Sequence, residues 1–280
     1  MKRLIVSADD FGLTKSVNEG IVKAVREGIV TSVNLIPTGE ALEDAVRRMR
    51  DAGIREAGAH LALTETAPLT DRTKIPTLIA GAGRFPKGYV PFMARYLFGQ
   101  IDLDQAYIEL KSQMDALDRL DIKLTNLSSH QHIHMLPAIL DIFVKLAKEY
   151  DVPAIRYVHE KLPAPAVSKK IYKGLVASYF SKTMARVLKA SSIIHPDRIC
   201  GFLDSGALDE AALLRIVGAL DEGTTELVSH PGFLSPEILD RYTFHKNCEA
   251  ELAALTGRRV KALIKDTGVT LIAYGELLSR

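Results

Sequence analysis

Apolar runs of strand length alternate with segments of helical periodicity along the chain, and this alternation constrains its fold more than any other feature. The predicted strands lie at 4–7, 32–36, 58–63, 124–134, 154–158, 226–229 and 269–273. The predicted helices lie near 15–27, 40–52, 104–120, 137–149, 209–220 and 246–266. Strands that alternate with helices predict parallel strands joined by crossovers. About seven such units favour an α/β fold built as a distorted or incomplete (β/α) barrel. An open sheet of seven strands remains an alternative.

Composition narrows the class of protein further. The 280 residues carry a net charge of +2, which gives no reason to expect nucleic acid as a partner. Two cysteines, Cys200 and Cys248, are too few for a disulfide framework or a cysteine zinc site. The first residues lack the features of a signal peptide, and no apolar run approaches the ~18 residues of a membrane span. We therefore expect a cytoplasmic protein with one domain over 1–280 and excursions at about 65–100 and 161–200.

Polar side chains lie at or near the carboxyl ends of four of the predicted strands. Asp9 and Asp10 follow the apolar residues of the first strand, His60 follows 57–59, His130 and His132 come after 123–124, and His230 follows 226–228. Parallel α/β folds build their active sites at the carboxyl ends of the strands. The sequence therefore predicts that these side chains share one site.

The segment Ser129-His130-Gln131-His132-Ile133-His134 places three imidazoles at a spacing of two. In an extended strand, alternate side chains point to the same face, so the three rings are expected to point the same way. Imidazole is the commonest metal ligand and the usual general acid or base near neutral pH. The pattern therefore indicates a metal site.

The predicted cluster can hydrolyse an amide or an ester. A carboxylate and two imidazoles suit a divalent cation with open positions for water, which becomes acidic enough to attack a carbonyl. Adjacent aspartates point in different directions, so one can bind the metal while the other accepts a proton. A histidine across the pocket can protonate the leaving group. The residues available for these roles are Asp9, Asp10, His60, His130 and His230.

Each element of this pattern also has a purely structural interpretation. The segment Asp9-Asp10-Phe11-Gly12 could cap the following helix, His60 could be a core histidine, and His230 could belong to a turn. His134 is expected to pack or form hydrogen bonds rather than bind a metal. Three further histidines lack a supporting pattern and are expected to be surface or structural residues: His159, His195 and His245.

Several sequence blocks resemble the YdjC-like carbohydrate deacetylases, a family that includes chitooligosaccharide deacetylases and a branch associated with hopanoid biosynthesis. The matching blocks are SADDFGL at 7–13, NEGI at 18–21, GAHLALT at 58–64, SHQHIHMLP at 129–137, TELVSHPG at 225–232 and GVTLIAY at 268–274. They occur in order over nearly the whole chain, and their combination is specific.

The resemblance implies a distorted barrel related to polysaccharide deacetylases and removal of N-acetyl groups from amino sugars. By position it implies metal ligands at Asp10, His60 and His130, a catalytic base at Asp9 and an acid at His230. It places His132 beside the metal, and Arg156 where it orients a carboxylate or the substrate.

The sequence departs from the family at one position. Ser128 stands where the family usually has an aspartate, two residues before the first histidine of the block. Loss of a carboxylate that orients a ligand typically costs about 10–100-fold in metal affinity or activity.

The expected cofactor is one divalent metal ion, with Mg²⁺ or Zn²⁺ favoured over Mn²⁺ and Co²⁺. The expected partner is a small amino sugar, either an oligosaccharide or a glycolipid such as a hopanoid conjugate, and homo-oligomers remain open. Residues 161–200 hold eight Lys or Arg against one acid, a net charge of +7. An apolar stripe at helical spacing runs through 171–188, as expected for a helix that packs on the barrel. It also suits peripheral contact with an anionic inner membrane through 169–190.

Two other functions remain open at this point. A metal-dependent phosphoesterase could use a similar barrel, but it usually needs a second metal about 3.5–4 Å away and therefore more ligands. A non-catalytic sugar- or lipid-binding protein could keep the pocket without turnover, and Ser128 is the only support for it.

Overall fold

The computed structural model describes residues 1–161 and 168–278, excluding the side chains of 168–173, 176 and 278. Its strands are all parallel and form one sheet. They are β1 (Lys2–Phe11), β2 (Ser32–Leu35), β3 (Glu56–Leu61), β4 (Lys123–Ser129), β5 (Ala154–Ile155), β6 (Arg198–Cys200), β7 (Gly223–Ser229) and β8 (Thr270–Leu271). The predicted α/β fold is therefore confirmed.

Helices connect the strands as crossovers. They are α1 (Lys15–Glu27), α2 (Leu42–Asp51), α3 (Tyr89–Leu97), α4 (Leu103–Asp118), α5 (Pro137–Glu149), α6 (Ser168–Ser191), α7 (Glu210–Gly218), α8 (Pro236–Asp240), α9 (Cys248–Thr256) and α10 (Arg258–Asp266). The single helix predicted over 246–266 is two helices separated at Gly257, whose extended backbone interrupts the helical path. None of the helices in the described ranges is both long and apolar enough to cross a bilayer.

The sheet curls into a distorted barrel. Its order is β5-β4-β3-β2-β1-β7-β6, which leaves β5 and β6 at the two edges. The edges meet through irregular contacts. Ala154 forms an isolated bridge with Ile194, and the Ile199 amide donates to the His159 carbonyl at 3.0 Å. The prediction of a distorted or incomplete barrel is therefore confirmed.

Two strands share one edge of β1. Its first residues, Arg3 and Leu4, pair with β8, whereas Ser7 and the residues after it pair with β2. On the other edge, β7 pairs with β1 from Lys2 to Ala8. The central strand therefore has partners on both edges, and its apolar side chains from Leu4 onward are buried.

Helix α1 lies close to the loop that follows β7. It begins at Thr14, whose hydroxyl accepts a hydrogen bond from the Val17 amide, a usual helix N-cap. Gly20 faces Gly232, and a Cβ at Gly20 would lie 2.4 Å from the Gly232 Cα. The absence of a side chain therefore allows α1 to approach the backbone that carries His230.

Two sequence expectations about the backbone need correction. The strand predicted over 124–134 ends at Ser129 and is followed by a 3-10 segment, His130–Met135, in which Gln131 and His132 have φ of 56°. The three histidines therefore do not line one face of a strand. In addition, β6 lies within residues expected to form an excursion at 161–200.

The apolar stripe predicted within 171–188 falls on α6 and divides between the core and the surface. Met184 and Leu188 are buried, whereas Leu175 and Tyr179 are exposed. The part that packs on the barrel agrees with the structural interpretation of this stripe. Some of its predicted basic and apolar side chains lie outside the described residues: Lys169, Lys170, Ile171, Tyr172, Lys173 and Val176.

Candidate metal centre

The carboxyl ends of β1, β3 and β4 bring the predicted acidic and imidazole side chains together. Asp9 and Asp10 lie near the end of β1, His60 lies near the end of β3, and His130 directly follows β4. All four are buried. His230 follows β7 and is also buried at this end of the barrel. The strand ends thus converge as the sequence predicted.

An irregular step in β1 turns both aspartates toward this cluster. Asp10 has φ of 65°, and the pairing of β1 with β2 shifts between Ala8 and Phe11. Such a bulge redirects a side chain at the cost of local strain. His60 Nε2 consequently lies 3.5 Å from Asp10 Oδ1 and 3.9 Å from Asp9 Oδ2. The two carboxylates otherwise have different partners: Arg156 for Asp9, and His130 for Asp10. The expectation that the adjacent aspartates point in different directions stays a prediction.

Three of these residues fit a divalent cation. Asp10, His60 and His130 each offer a ligand atom, and those atoms lie within 4.8 Å of one another. The second oxygen of Asp10, Oδ2, is buried and lacks a hydrogen-bond partner among the described residues. One carboxylate with two imidazoles is a common ligand set for Zn²⁺ and other divalent metals.

Each imidazole of the cluster has a second partner. His60 Nδ1 lies 2.8 Å from Ser128 Oγ, so the serine holds the ring with Nε2 directed at Asp10. His130 Nδ1 lies 2.8 Å from Asp10 Oδ1, and its Nε2 lies 3.1 Å from Glu65 Oε2. Sequence reasoning missed Glu65, although it directly follows the block at 58–64, because the residues from 65 onward were interpreted as an excursion.

Burial and charge act differently on the two rings. Burial lowers the pKa of His60 to about 4, although Asp9 and Asp10 oppose this shift. At His130 burial is outweighed by the carboxylates of Asp10 and Glu65, which raise the pKa to about 10. His60 is therefore neutral near pH 7, as a metal ligand must be.

Arg156 holds Asp9 in a fixed orientation. Its Nη1 and Nη2 donate to the two Asp9 oxygens at 2.6 and 2.8 Å, and Asn34 Nδ2 donates to Oδ1 at 2.7 Å. Burial opposes ionisation of Asp9, but the charge of Arg156 outweighs it, so the pKa of Asp9 lies well below its usual range. Asp9 is therefore a fixed carboxylate at every pH near neutrality.

The same arginine binds a second carboxylate that sequence reasoning missed. Arg156 Nε and Nη2 donate to Glu226 Oε1 at 3.0 and 2.8 Å. Glu226 also accepts from Ser7 Oγ at 2.7 Å and from the Tyr274 hydroxyl at 2.6 Å. All of these side chains are buried, so Arg156 orients a carboxylate, the first of the two roles that the resemblance implies for it. The signal for Glu226 was its charge at the start of the strand predicted at 226–229.

His245 also belongs to this site, which corrects its assignment as a surface or structural residue. It lies in a 3-10 segment, Thr243–Asn247, and its Nε2 is 3.0 Å from Asp10 Oδ2. The two atoms are close but not aligned as a hydrogen bond. The His245 ring is buried, and its centroid lies 5.6 Å from the centroid of the His230 ring. No strand periodicity marks this position, so the sequence offered no signal.

Glu251 holds the backbone of His230 in place. Its amide donates to Glu251 Oε2 at 2.7 Å, and its ring contacts the edge of Phe244 at 5.0 Å. Burial lowers the pKa of His230 to about 3, against the opposing effect of Asp9 and Asp10. Burial also raises the pKa of Glu251 to about 7.

The other two histidines of the 130–134 block point elsewhere. His134 Nδ1 bonds to Ser129 Oγ at 2.6 Å, and its Nε2 lies 3.2 Å from the Arg156 carbonyl. His134 therefore forms hydrogen bonds through both ring nitrogens, and the expectation that it binds no metal stays a prediction. His132 packs against the ring of Phe202 at 5.0 Å, and its expected place beside the metal stays a prediction.

The chain is thus a parallel α/β barrel. It has a candidate metal centre of one carboxylate and two imidazoles at the carboxyl ends of its strands. Comparison with known sequences identifies the family. The chain belongs to the YdjC-like protein family, which matches residues 3–266.

Relatives within this family share nearly the full length of the chain. A protein from Brevibacillus brevis named carbohydrate deacetylase is 32% identical over 276 residues, covering 98% of this chain and 99% of the relative. A human protein with the same name is 30% identical over 300 residues, covering 99% and 92%. A crystal structure of a protein from Enterococcus faecalis V583 superposes with a TM-score of 0.81 at 24% identity, covering 99% and 98%. This last likeness shows a shared fold.

Proposed function

We propose that this protein is a metal-dependent hydrolase that removes N-acetyl groups from an amino sugar. The observation that carries the proposal is the buried cluster of Asp10, His60 and His130, with the Asp9 carboxylate 3.9 Å from His60. Relatives named carbohydrate deacetylase, similar along nearly the whole chain, support the choice of substrate class.

The proposal assigns the metal to Asp10, His60 and His130. A divalent cation bound there would supply Lewis acidity toward the acetyl carbonyl and would lower the pKa of water. Ser128 supports this role by holding the His60 ring with Nε2 directed at Asp10.

We assign the role of base to Asp9. The pair with Arg156 keeps this side chain ionised and rigid, so it is ready to accept a proton from the attacking water. Because the donors of Arg156 point to Asp9 and Glu226 and the side chain is fully buried, the arginine acts by positioning Asp9.

We assign the role of acid to His230. Burial keeps this ring neutral at pH 7, so it must acquire its proton during the reaction. Water is the source: one proton passes to Asp9 and then, through His230, to the nitrogen that leaves as the amine. Hydrolysis thus consumes one water and yields acetate and the amino sugar.

The exposed face of α6 favours an amino sugar that carries a lipid. Leu175 and Tyr179 are 58% and 76% exposed, and Lys182, Arg186 and Lys189 are exposed along the same stripe of the helix. A stripe with apolar and basic side chains suits the surface of an anionic membrane. We expect flotation with anionic liposomes at low salt, and Leu175→Ser/Tyr179→Ser to abolish it. Absence of binding by the unmodified protein would contradict this part of the proposal.

The deciding experiment measures acetate release after removal of metal and addition of Zn²⁺, Mg²⁺, Mn²⁺ or Co²⁺. Substrates are N-acetylglucosamine oligomers and an N-acetylglucosaminyl lipid. Acetate should appear only with metal and should be lost in His130→Ala, whereas His195→Ala is a matched control. Equal acetate from the His130 variant, or none from either substrate with any metal, would refute the proposal.

No observation favours the two alternative functions. In the described part of the chain, a single group of three potential ligands is found, whereas a phosphoesterase with two metals needs more. Ser128, the support for a non-catalytic binding protein, contacts His60 and so provides a partner for that ring.

A further inference from the structure

The two histidines of the candidate metal centre present opposite ring nitrogens to the same oxygen. His60 Nε2 lies 3.5 Å from Asp10 Oδ1, and the other nitrogen of that ring binds Ser128. His130 is reversed: its Nδ1 lies 2.8 Å from Asp10 Oδ1, and its Nε2 lies 3.1 Å from Glu65 Oε2. Glu65 has no role in the proposed reaction, yet it contacts the His130 nitrogen that faces away from Asp10.

The loop around Glu65 is firmly held. The Glu65 amide donates to the Pro86 carbonyl at 3.0 Å, and Arg84 Nε donates to the Glu65 carbonyl at 3.1 Å. The Glu65 side chain is 17% exposed. Its backbone has φ of 63°, and Gln131, next to His130, has φ of 56°. Such left-handed residues are costly and tend to occur where the surrounding structure fixes a functional geometry.

We propose that Glu65 is a positioning residue that makes His130 bind the metal through Nδ1, while His60 binds through Nε2. Metal binding releases a proton from His130, and the neutral imidazole that results carries one N–H and one lone pair. The Glu65 carboxylate takes the N–H at Nε2, which leaves the lone pair of Nδ1 directed at the metal. A carboxylate on the outer nitrogen is a recurrent way to fix the tautomer of a histidine ligand. The proposal rests on the metal site of the proposed function.

The direct test identifies the coordinating nitrogen of each histidine. Protein labelled with ¹⁵N-histidine and loaded with zinc alone gives long-range ¹H–¹⁵N correlations that distinguish Nδ1 from Nε2 coordination. We expect Nδ1 coordination for His130 and Nε2 coordination for His60, assigned with His130→Ala and His60→Ala. Coordination of His130 through Nε2 would overturn the proposal.

Variants of Glu65 test the positioning role through metal affinity. Glu65→Ala should raise the zinc Kd by about 10–100-fold. Glu65→Gln retains an acceptor oxygen and should recover part of that loss. Glu43→Ala, which removes an exposed glutamate of α2, is the matched control and should leave the Kd unchanged. An unchanged Kd in Glu65→Ala, with the same NMR pattern as the unmodified protein, would contradict the assignment.

These readouts separate the inference from the proposed function. Zinc bound through Nδ1 of His130 without acetate release would leave the inference intact and refute the deacetylase. Acetate release by protein whose His130 binds zinc through Nε2 would support the deacetylase and overturn the inference. Absence of zinc binding would overturn the inference, whereas the proposed function is decided by acetate release with all four metals.

Discussion

His245 Nε2 lies 3.0 Å from Asp10 Oδ2, so Asp10 contacts an imidazole through each of its oxygens. On the other oxygen, Oδ1, the neighbour is His130 Nδ1 at 2.8 Å. The loop after β7 therefore restrains the orientation of a carboxylate that belongs to β1. The position of His245 in the sequence did not predict this contact.

Replacing His245 should weaken metal binding. His245→Phe keeps a buried ring but removes the nitrogen beside Asp10 Oδ2, so the carboxylate is less restrained. Loss of a group that orients a ligand typically costs about 10–100-fold in metal affinity. Competition with a chromophoric chelator measures the zinc Kd. His195→Phe serves as the control, since His195 contacts the Pro196 carbonyl rather than Asp10. Equal Kd values for both variants and the unmodified protein would refute this role.

Replacing Arg156 should destabilise the fold strongly. Arg156→Met leaves the buried carboxylates of Asp9 and Glu226 without their cation, at a cost of about 3–5 kcal/mol in the free energy of unfolding. Urea unfolding measures it. The control Arg259→Met removes an exposed ion pair and should change stability by no more than about 0.5 kcal/mol.

The pH dependence of this loss has a definite sign. The pKa of Asp9 is depressed in the folded protein, so its favourable contribution is present above its ordinary pKa of 3.8 and is lost at lower pH. Arg156→Met removes that contribution, so the gap in stability between variant and unmodified protein should stay constant down to about pH 4 and narrow only at lower pH. A gap independent of pH would contradict the assigned charge pairing.

Glu251 should make stability decrease between acidic and neutral pH. Burial raises its pKa from 4.5 to about 7, so the folded protein holds a proton that the unfolded chain releases. This contribution is fully present below pH 4.5 and is lost as the pH rises through about 7. Glu251→Gln should therefore flatten the decrease in Tm between pH 5 and pH 7.5. Glu249→Gln, an exposed neighbour, should keep the decrease. An unaltered pH profile in Glu251→Gln would show that another group titrates.

A methyl group at Gly20 should displace the loop that carries His230. The added Cβ would lie 2.4 Å from the Gly232 Cα, which neither backbone can accommodate in place. Overpacking of this kind typically costs about 1–3 kcal/mol. Gly20→Ala should lower both Tm and acetate release. Gly218→Ala is the matched control, since a Cβ there meets no atom within 4 Å. Full activity in Gly20→Ala would show that the loop position is unimportant.

The parts of the site that follow from strand topology were predictable. Asp10, His60 and His130 come together because the carboxyl ends of parallel strands lie at the same end of the barrel, and periodicity locates those ends. The irregular backbone was not predictable. The positive φ of Asp10 and the end of β4 at Ser129 depend on contacts between distant segments.

The missed residues of the site have a common cause. Glu65 and His245 lie in segments without strand or helix periodicity, so nothing local indicates which way their side chains point. Glu226 was hidden for a different reason. Its charge is neutralised by Arg156, which is 70 residues away in sequence.

The pairing of β1 with β7 sets an order of events during synthesis. Ser7 is paired with Val228 and Ala8 with Ser229, so one edge of the strand that carries Asp9 and Asp10 has no partner until Gly223–Ser229 leaves the ribosome. Arg156 likewise leaves the ribosome well before Glu226, with which it forms a buried ion pair. A nascent chain must therefore keep an open strand edge and a partly compensated buried cation soluble for much of its translation. Such long-range pairings slow folding and expose edges to aggregation. The yield of folded protein in a cell should consequently depend on chaperones that bind the emerging first half of the chain.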